Sequence, residues 1–159
     1  MKITIVSVGK IKEKYLTAGI AEFTKRLTPY CRLSIVEVDE ERMPENPSPA
    51  EKAKVLEKEG EKIRKQIKDD TYCIVLDVAG KQASSEELSE KLDKLALTGK
   101  SDVTFVIGGA FGLSPEVLKA ANERLSFSKM TFTHEISRLL LLEQLYRACT
   151  IRAGHKYHI

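Results

Sequence analysis

Residues 2–8 read KITIVSV, a β-branched apolar run that stops at Gly9, and this pattern predicts a buried strand closed by a turn. The period then changes. Ile11, Tyr15, Leu16, Ile20, Phe23 and Leu27 recur at helical spacing until Pro29 breaks the pattern, which predicts an amphipathic helix over 11–27. Residues 32–38 alternate and are rich in Ile and Val, a second strand, and the acidic stretch 39–49 with Pro44, Pro47 and Pro49 reads as a loop. Ser48 is placed to cap a charged helix over 49–67, with Val55, Leu56, Ile63 and Ile67 inward and Glu57, Glu59 and Glu61 on an exposed face.

The second half repeats the alternation. YCIVLDV, residues 72–78, is an apolar strand ending near Gly80, and Ser84 or Ser85 opens a helix that turns Leu88, Leu92 and Leu95 inward. The strand VTFVI, residues 103–107, runs into Gly108-Gly109-Ala110-Phe111-Gly112, after which Ser114-Pro115-Glu116 starts a helix with an N-cap and a proline at its first position. A short segment LSFSKMTF and a long helix over 134–149 follow, leaving a tail at 152–159. Strands alternating with helices predict an α/β fold: a single domain spanning 1–159, with a mostly parallel sheet flanked by helices on both faces.

Composition bounds this picture without changing it. With 159 residues, 42% of them hydrophobic, the chain can bury one good core and is too short for two ordinary domains. Its longest apolar run, around Leu139 to Leu142, falls far short of the ~20 residues that a membrane span needs, and no signal peptide precedes the first strand, so a cytoplasmic protein with no membrane partner is expected. Cys31, Cys73 and Cys149 are odd in number, lack CxxC spacing and sit among apolar neighbours, as buried structural cysteines do.

Charge is more informative in its distribution than in its sum. The net charge is only +3, yet residues 124–159 carry Arg124, Lys129, Arg138, Arg147, Arg152 and Lys156 against Glu135 and Glu143, an excess of four. All three histidines, His134, His155 and His158, lie in the same stretch, which is therefore the expected surface for an anionic partner. A helix with a solvated basic face would show the same count.

In open α/β sheets ligands sit outside the carboxyl ends of the strands, so the loops after Leu76, Ile107 and Phe127 are where a site is expected. Gly108, Gly109 and Gly112 let backbone approach a ligand closely, but the pattern is neither GxGxxG nor a Walker loop, and by itself a double glycine after a strand is more often a plain turn. His155 and His158 are three apart with no accompanying carboxylate or cysteine cluster, so no metal is expected. No Ser-His-Asp or paired-carboxylate pattern stands at an informative spacing.

Five motifs in order carry a resemblance: the opening KITIVSVGKIKEKYL, the strand and loop FVIGGAFGL, the segment LSFSKMTFTH, the helix LLLLEQLYRA and the closing YH. Together they closely resemble the 23S rRNA pseudouridine-N3 methyltransferases, the RlmH family, from Met1 to His158. The resemblance implies a SPOUT-type fold whose C-terminal part is tied into a trefoil knot around S-adenosyl-L-methionine (AdoMet). It implies a cofactor pocket using Leu76, Gly108, Phe127, Ser128, Lys129, Met130, Thr131 and Phe132. It further implies a homodimer with the active site near the subunit interface, and a substrate, helix 69 of 23S rRNA, presented by the assembled ribosome.

Tyr157 and His158 of the tail, with Arg147 and His134 of the last helix, are the catalytic candidates on this reading. A histidine would take the imide proton, Arg147 or Arg152 would stabilise the anion, Tyr157 would stack on the base, and Lys10, Lys12 and Lys14 would contact phosphates beside the C-terminal surface. Thr133, Lys156 and Ile159 depart from the family pattern, which has proline, proline and a basic residue there. Two other readings are carried: a non-catalytic ribosome-binding factor, and a SPOUT enzyme acting on tRNA.

Overall fold

Five strands, all parallel, form one sheet in the computed structural model, which describes residues 1–159. They are β1 (Lys2–Val8), β2 (Arg32–Val38), β3 (Tyr72–Gln82), β4 (Asp102–Ile107) and β5 (Glu123–Ser126), in the order β2-β1-β4-β3-β5. Helices α1 (Lys14–Leu27), α2 (Pro49–Gln66), α3 (Ser85–Leu97), α4 (Pro115–Ala120) and α5 (His134–Ala153) make the connections. A parallel sheet covered on both sides needs strands apolar on both faces, and this is why β1, β3 and β4 read as continuous apolar runs rather than as alternation.

Successive side chains of each strand enter two separate cores. On one face Ile3, Ile5, Ile74 and Phe105 pack with Leu27 of α1, Leu88 and Leu92 of α3, and Leu141, Leu142 and Leu145 of α5. On the other Val6, Val8, Val75 and Val106 pack with Ile63 of α2 and Val117 of α4. The helix starts are chemically specified: Ser48 and Ser84 each form a full capping box, with Glu51 and Glu87 reaching back, while Ser114 and Thr133 cap α4 and α5. Thr133, one of the three departures from the family pattern, thus accepts a hydrogen bond from the Ile136 amide and satisfies a donor that proline would have left free.

Three boundaries differ from the pattern-based expectation. Helix α1 begins at Lys14 rather than at Ile11, leaving residues 9–13 as a loop whose Glu13 supplies no side-chain cap. Strand β3 runs on to Gln82: after a bulge between Leu76 and Lys81 its backbone pairs again with Leu125 and Ser126, and such pairing does not depend on the apolar pattern. Helix α5 continues to Ala153, because Thr150 is still buried and the turn is closed only by Gly154 in the left-handed conformation.

One side-chain assignment is overturned. Glu59 does not lie on an exposed face with Glu57 and Glu61 but is 6% exposed, on the inward stripe of α2 with Val55 and Ile63. The four-residue spacing 55, 59, 63 places it there.

Helix α3 offers a test of the core. Leu92 is fully buried whereas Leu97, in the same helix, is 80% exposed. Leu92→Ala should lower unfolding free energy by about 2–5 kcal/mol in urea titration, through lost burial and the cavity left behind, and Leu97→Ala by less than about 0.5 kcal/mol. Equal losses would show that α3 is seated differently.

Candidate functional site

The carboxyl ends of β3, β4 and β5 meet the first turn of α5 around a cavity of about 740 Å3. Three backbone features shape it. After Ile107 the chain turns back on itself, with the Gly112 amide donating to the Gly109 carbonyl at 3.1 Å, so that a Cβ at Gly108 would overlap the Gly112 carbonyl. Only glycine permits that approach. After β5, residues 127–133 cross the ends of β3 and β4; the Ser126 hydroxyl donates to the Ser128 carbonyl (2.9 Å) and the Ser128 hydroxyl accepts from the Met130 amide (3.0 Å), which fixes the turn. Thr133 then starts α5 at the cavity wall.

Of the residues expected to hold a cofactor, Leu76, Gly108, Phe127, Ser128, Met130, Thr131 and Phe132 line this one cavity, and Lys129 does not; it is exposed beside the loop. Leu76, Ile107, Leu125 and Phe127 supply an apolar floor. The charged groups on the wall are acidic, Asp77 and Glu135, with His134 Nε2 bonded to Glu135 at 2.7 Å. His134 Nδ1 is buried without a partner. An apolar slot of this volume with a few polar groups and a glycine-lined backbone suits a nucleoside-sized ligand, and acidic walls complement a cationic one. A sulfonium and an ammonium are the cations of AdoMet, so the residues present fit that cofactor.

Glu59 lies behind the glycine loop, where a side chain at Gly109 would stand 3.3 Å from its Oε1, and its Oε2 accepts from the Glu41 amide at 3.0 Å. Burial pushes its carboxyl up from the ordinary range; the bond from the Glu41 amide works against this, and the neighbouring Glu40 and Glu41 charges add to it.

The other catalytic candidates form a second cluster. Arg147 holds Glu143 Oε1 at 2.5 Å, Tyr157 donates to the same oxygen at 3.0 Å, and the guanidinium lies 4.8 Å from the Tyr157 ring centroid. Arg147 Nη1 is 3.1 Å from His158 Nδ1, and His158 Nε2 is 2.7 Å from Glu86. Since a guanidinium only donates, Nδ1 accepts and Nε2 carries the hydrogen that goes to Glu86. Glu143 raises the Arg147 guanidinium further, burial and then the Glu143 bond raise the Tyr157 phenol, and the His158 bond holds the Glu86 carboxyl low. Glu143 and Glu86 were not among the sequence candidates. Glu143 and Arg147 are four apart on a helix, a readable signal, whereas Glu86 comes from α3 and no local pattern announces it.

These two groups are not brought together within one chain. His134 lines the cavity, but Arg147 is thirteen positions further along α5, about 20 Å at 1.5 Å per residue. The C-terminal charge is also distributed differently from expectation. Arg138 is buried against Glu37 (2.6 Å), Arg147 pairs with Glu143, Arg152 with Asp93 (3.2 Å), and Arg124 stands 3.9 Å from Asp77. Only Lys129 and Lys156 of the six cations are outside any ion pair, so most of the expected basic surface is neutralised by internal partners. Of the two closing histidines, His155 Nδ1 meets the Tyr30 hydroxyl and His158 meets Glu86 and Arg147, so the rings serve separate partners.

Comparison with known proteins agrees with this geometry. Residues 1–158 match the family model described as "Predicted SPOUT methyltransferase". The chain is 56% identical over 158 residues to the ribosomal RNA large subunit methyltransferase H of Bacillus thuringiensis (strain Al Hakam), covering 99% of both chains. It is 55% identical over 156 residues to the protein of that name from Pelotomaculum thermopropionicum, covering 98% of each. Among solved structures, a "probable methylase family protein" from Haemophilus influenzae Rd KW20 superposes with a TM-score of 0.51 at 14% identity, covering 99% of this chain and 70% of that one, a likeness of fold.

Glu59 yields a pH test. A carboxyl raised in the folded state binds its proton more tightly there than when unfolded, so its contribution to stability is present below the ordinary carboxyl range and is lost as pH rises through the raised value. Glu59→Gln, which keeps an acceptor for the Glu41 amide, should therefore raise the urea midpoint at neutral pH and leave it unchanged near about pH 4. A variant less stable at neutral pH would mean that the ionised carboxylate is needed where it stands.

Proposed function

We propose, from the premise that this chain belongs to the SPOUT methyltransferase family and within it to the RlmH family of ribosomal RNA large subunit methyltransferases, that it methylates N3 of a pseudouridine in helix 69 of 23S rRNA. The acceptor is the assembled ribosome in the cytoplasm, and the methyl donor is AdoMet. The observation that carries the reading is the cavity at the strand ends, closed by the glycine loop, the 127–133 segment and the first turn of α5, in a chain matched to that family along its whole length. The threading of that segment and α5 into a trefoil knot is part of the same proposal.

Leu76, Gly108, Phe127, Ser128, Met130, Thr131 and Phe132 would hold the cofactor, whose sulfonium would supply an electrophilic methyl group. The chain's own part is positioning and charge. The apolar floor excludes water from the bound donor, Asp77 and Glu135 oppose its positive charge, and the backbone of the two loops fixes its orientation. The N3 imide is protonated at neutral pH, so its proton must leave and the resulting anion must be met by a cation. Arg147 is that cation; Glu143 and Tyr157 hold it in place. His158 and His134 are the candidates for receiving the proton.

Because Arg147 and the tail stand about 20 Å along α5 from the cavity of their own chain, the site is completed by a second copy. Helix α5 is suited to that contact: Ile136 is 36% exposed, and Leu139 and Leu140 are half-buried beside the fully covered Leu141 and Leu142. A two-fold pair in which each tail reaches the partner's cavity gives two identical composite sites.

The test is calorimetric titration with AdoMet followed by tritiated methyl transfer to ribosomes from a strain lacking the modification. Binding and incorporation into 23S rRNA are expected; Gly108→Ala should abolish both, and Arg147→Ala should keep AdoMet binding while lowering turnover about 100- to 1000-fold. Failure to bind AdoMet would sink the enzyme reading in favour of a non-catalytic ribosome-binding factor, and transfer to tRNA in place of ribosomes would reassign the substrate. For the composite site, mixing inactive Gly108→Ala and Arg147→Ala subunits should restore about a quarter of wild-type activity, since half the random pairs carry one intact site. No restoration would mean that each chain serves itself. His134→Ala and His158→Ala should lower turnover; near-wild-type rates in both would exclude a histidine base.

A further inference from the structure

One exposed aromatic residue is used by neither the cavity nor the tail. Tyr15, in the first turn of α1, is 69% exposed, whereas the exposed Phe111 and Phe132 both line the cavity. Its surroundings are cationic. Lys10, Lys12 and Lys14 precede it, all exposed and all outside any ion pair, with Glu13 the only acid among them. A long ring left in water has a cost that solvated lysines do not relieve, and unpaired lysines beside it do not suit an apolar protein partner.

The packing of α1 on α5 places this ring. The two helices run in the same direction: Gly19 meets Leu139, the Phe23 ring lies 6.0 Å from that of Tyr146, and Tyr30 reaches His155. Tyr15 is one turn before Gly19, so it stands level with Glu135, one turn before Leu139. Glu135 and His134 line the cavity. The loop leading to Tyr15 is fastened at the same level, since Arg138 Nη2 donates to the Gly9 carbonyl at 3.0 Å and a side chain at Gly9 would meet the His134 ring at 3.3 Å. Tyr15 and its lysines therefore stand at the level of the cavity's α5 wall, on the chain that follows β1.

We infer that Tyr15 is a stacking step for an unpaired RNA base next to the target nucleotide, with Lys10, Lys12 and Lys14 on the adjoining phosphates. The inference rests on the RNA-methyltransferase reading and adds a residue to it. A base whose N3 edge enters the cavity must leave its stack, so a neighbouring base loses a stacking face, and an aromatic ring supplies one without reading sequence. The phosphates on either side of that base are met by the cations that flank the ring.

The chain contains no tryptophan, which allows a direct test. Tyr15→Trp, labelled as 5-hydroxytryptophan so that it is excited apart from ribosomal tryptophans, is titrated with ribosomes lacking the modification. Quenching that saturates with ribosomes is expected, as is a rise of about tenfold in KM for ribosomes in Tyr15→Ala and Tyr15→Leu, with kcat and AdoMet affinity unchanged and Tyr15→Phe near wild type. No quenching overturns the proposal, as does an unchanged KM in Tyr15→Ala. A shift of Tyr15→Ala to monomer in light scattering would overturn it too, by assigning the ring to contact between copies. Quenching without methyl transfer by the wild-type chain would leave the RNA contact standing and reject the reaction instead.

Discussion

The placement of α5 depends on one buried arginine. Arg138 has only 3% of its side chain exposed, yet it joins three elements: its own helix, Glu37 near the end of β2, and the carbonyl of Gly9 just past the end of β1. A buried guanidinium is costly unless its charge is paired, and removal of Glu37 would leave that charge stranded. This requirement fixes both the height of α5 against the sheet and its rotation, and through them the position of His134 on the cavity wall. Its Nε, like His134 Nδ1 and Ser7 Oγ, is buried without a partner. The three atoms belong to neighbouring parts of one junction, so polar demand is concentrated where the strand ends, the loop after β1 and α5 converge.

Much of the framework was legible because the local signals agree with the tertiary arrangement. Ser48 and Ser84 cap where the periodicity begins, and the continuous apolar runs of β1, β3 and β4 belong to strands covered on both faces. Legibility failed where the deciding partner is distant in sequence. The second stretch of β3 is held by β5, not by any pattern of its own, and the inward turn of Glu59 was visible only in its spacing from Val55 and Ile63, because acidic character outweighed position. The site divides in the same way. Its glycine loop and the loop after Phe127 could be located at strand ends, but the individual residues of 127–132 were named only through resemblance. Glu86 as the partner of His158 required α3 and the tail to be seen together.

A helix twenty residues long that carries functional groups at both ends poses a question of assembly. Within one chain it separates His134 from Arg147, and no rotamer change bridges about 20 Å. Around Leu139 to Leu142 the same helix is apolar nearly all round, and Leu139 and Leu140 are only half-buried where a wholly internal helix would have them covered. Both the separation and this exposure have one resolution on the proposed reading, a second copy that covers the half-buried leucines and brings its own tail to the cavity. On the proposed reading, oligomerisation and catalysis are therefore one requirement, and Arg147 is already oriented by Glu143 and Tyr157 before the partner arrives.

The pairing of charge completes the argument about the partner. A net +3 is modest, and four of the six C-terminal cations face carboxylates of their own chain, so attraction to a polyanion comes from few places. Each phosphate contact adds to affinity in proportion to the counterions released, and a chain with so small a net charge draws little long-range attraction to RNA. Such a surface discriminates by shape. On the proposed reading it would bind where a rigid partner presents the target, its flanking backbone and further protein or RNA contacts at once. Among the lysines outside any ion pair, Lys10, Lys12 and Lys14 follow the end of β1 closely in sequence, beside the Gly9 junction with α5, so part of the attraction that does exist is directed toward the place where the chemistry is proposed to occur.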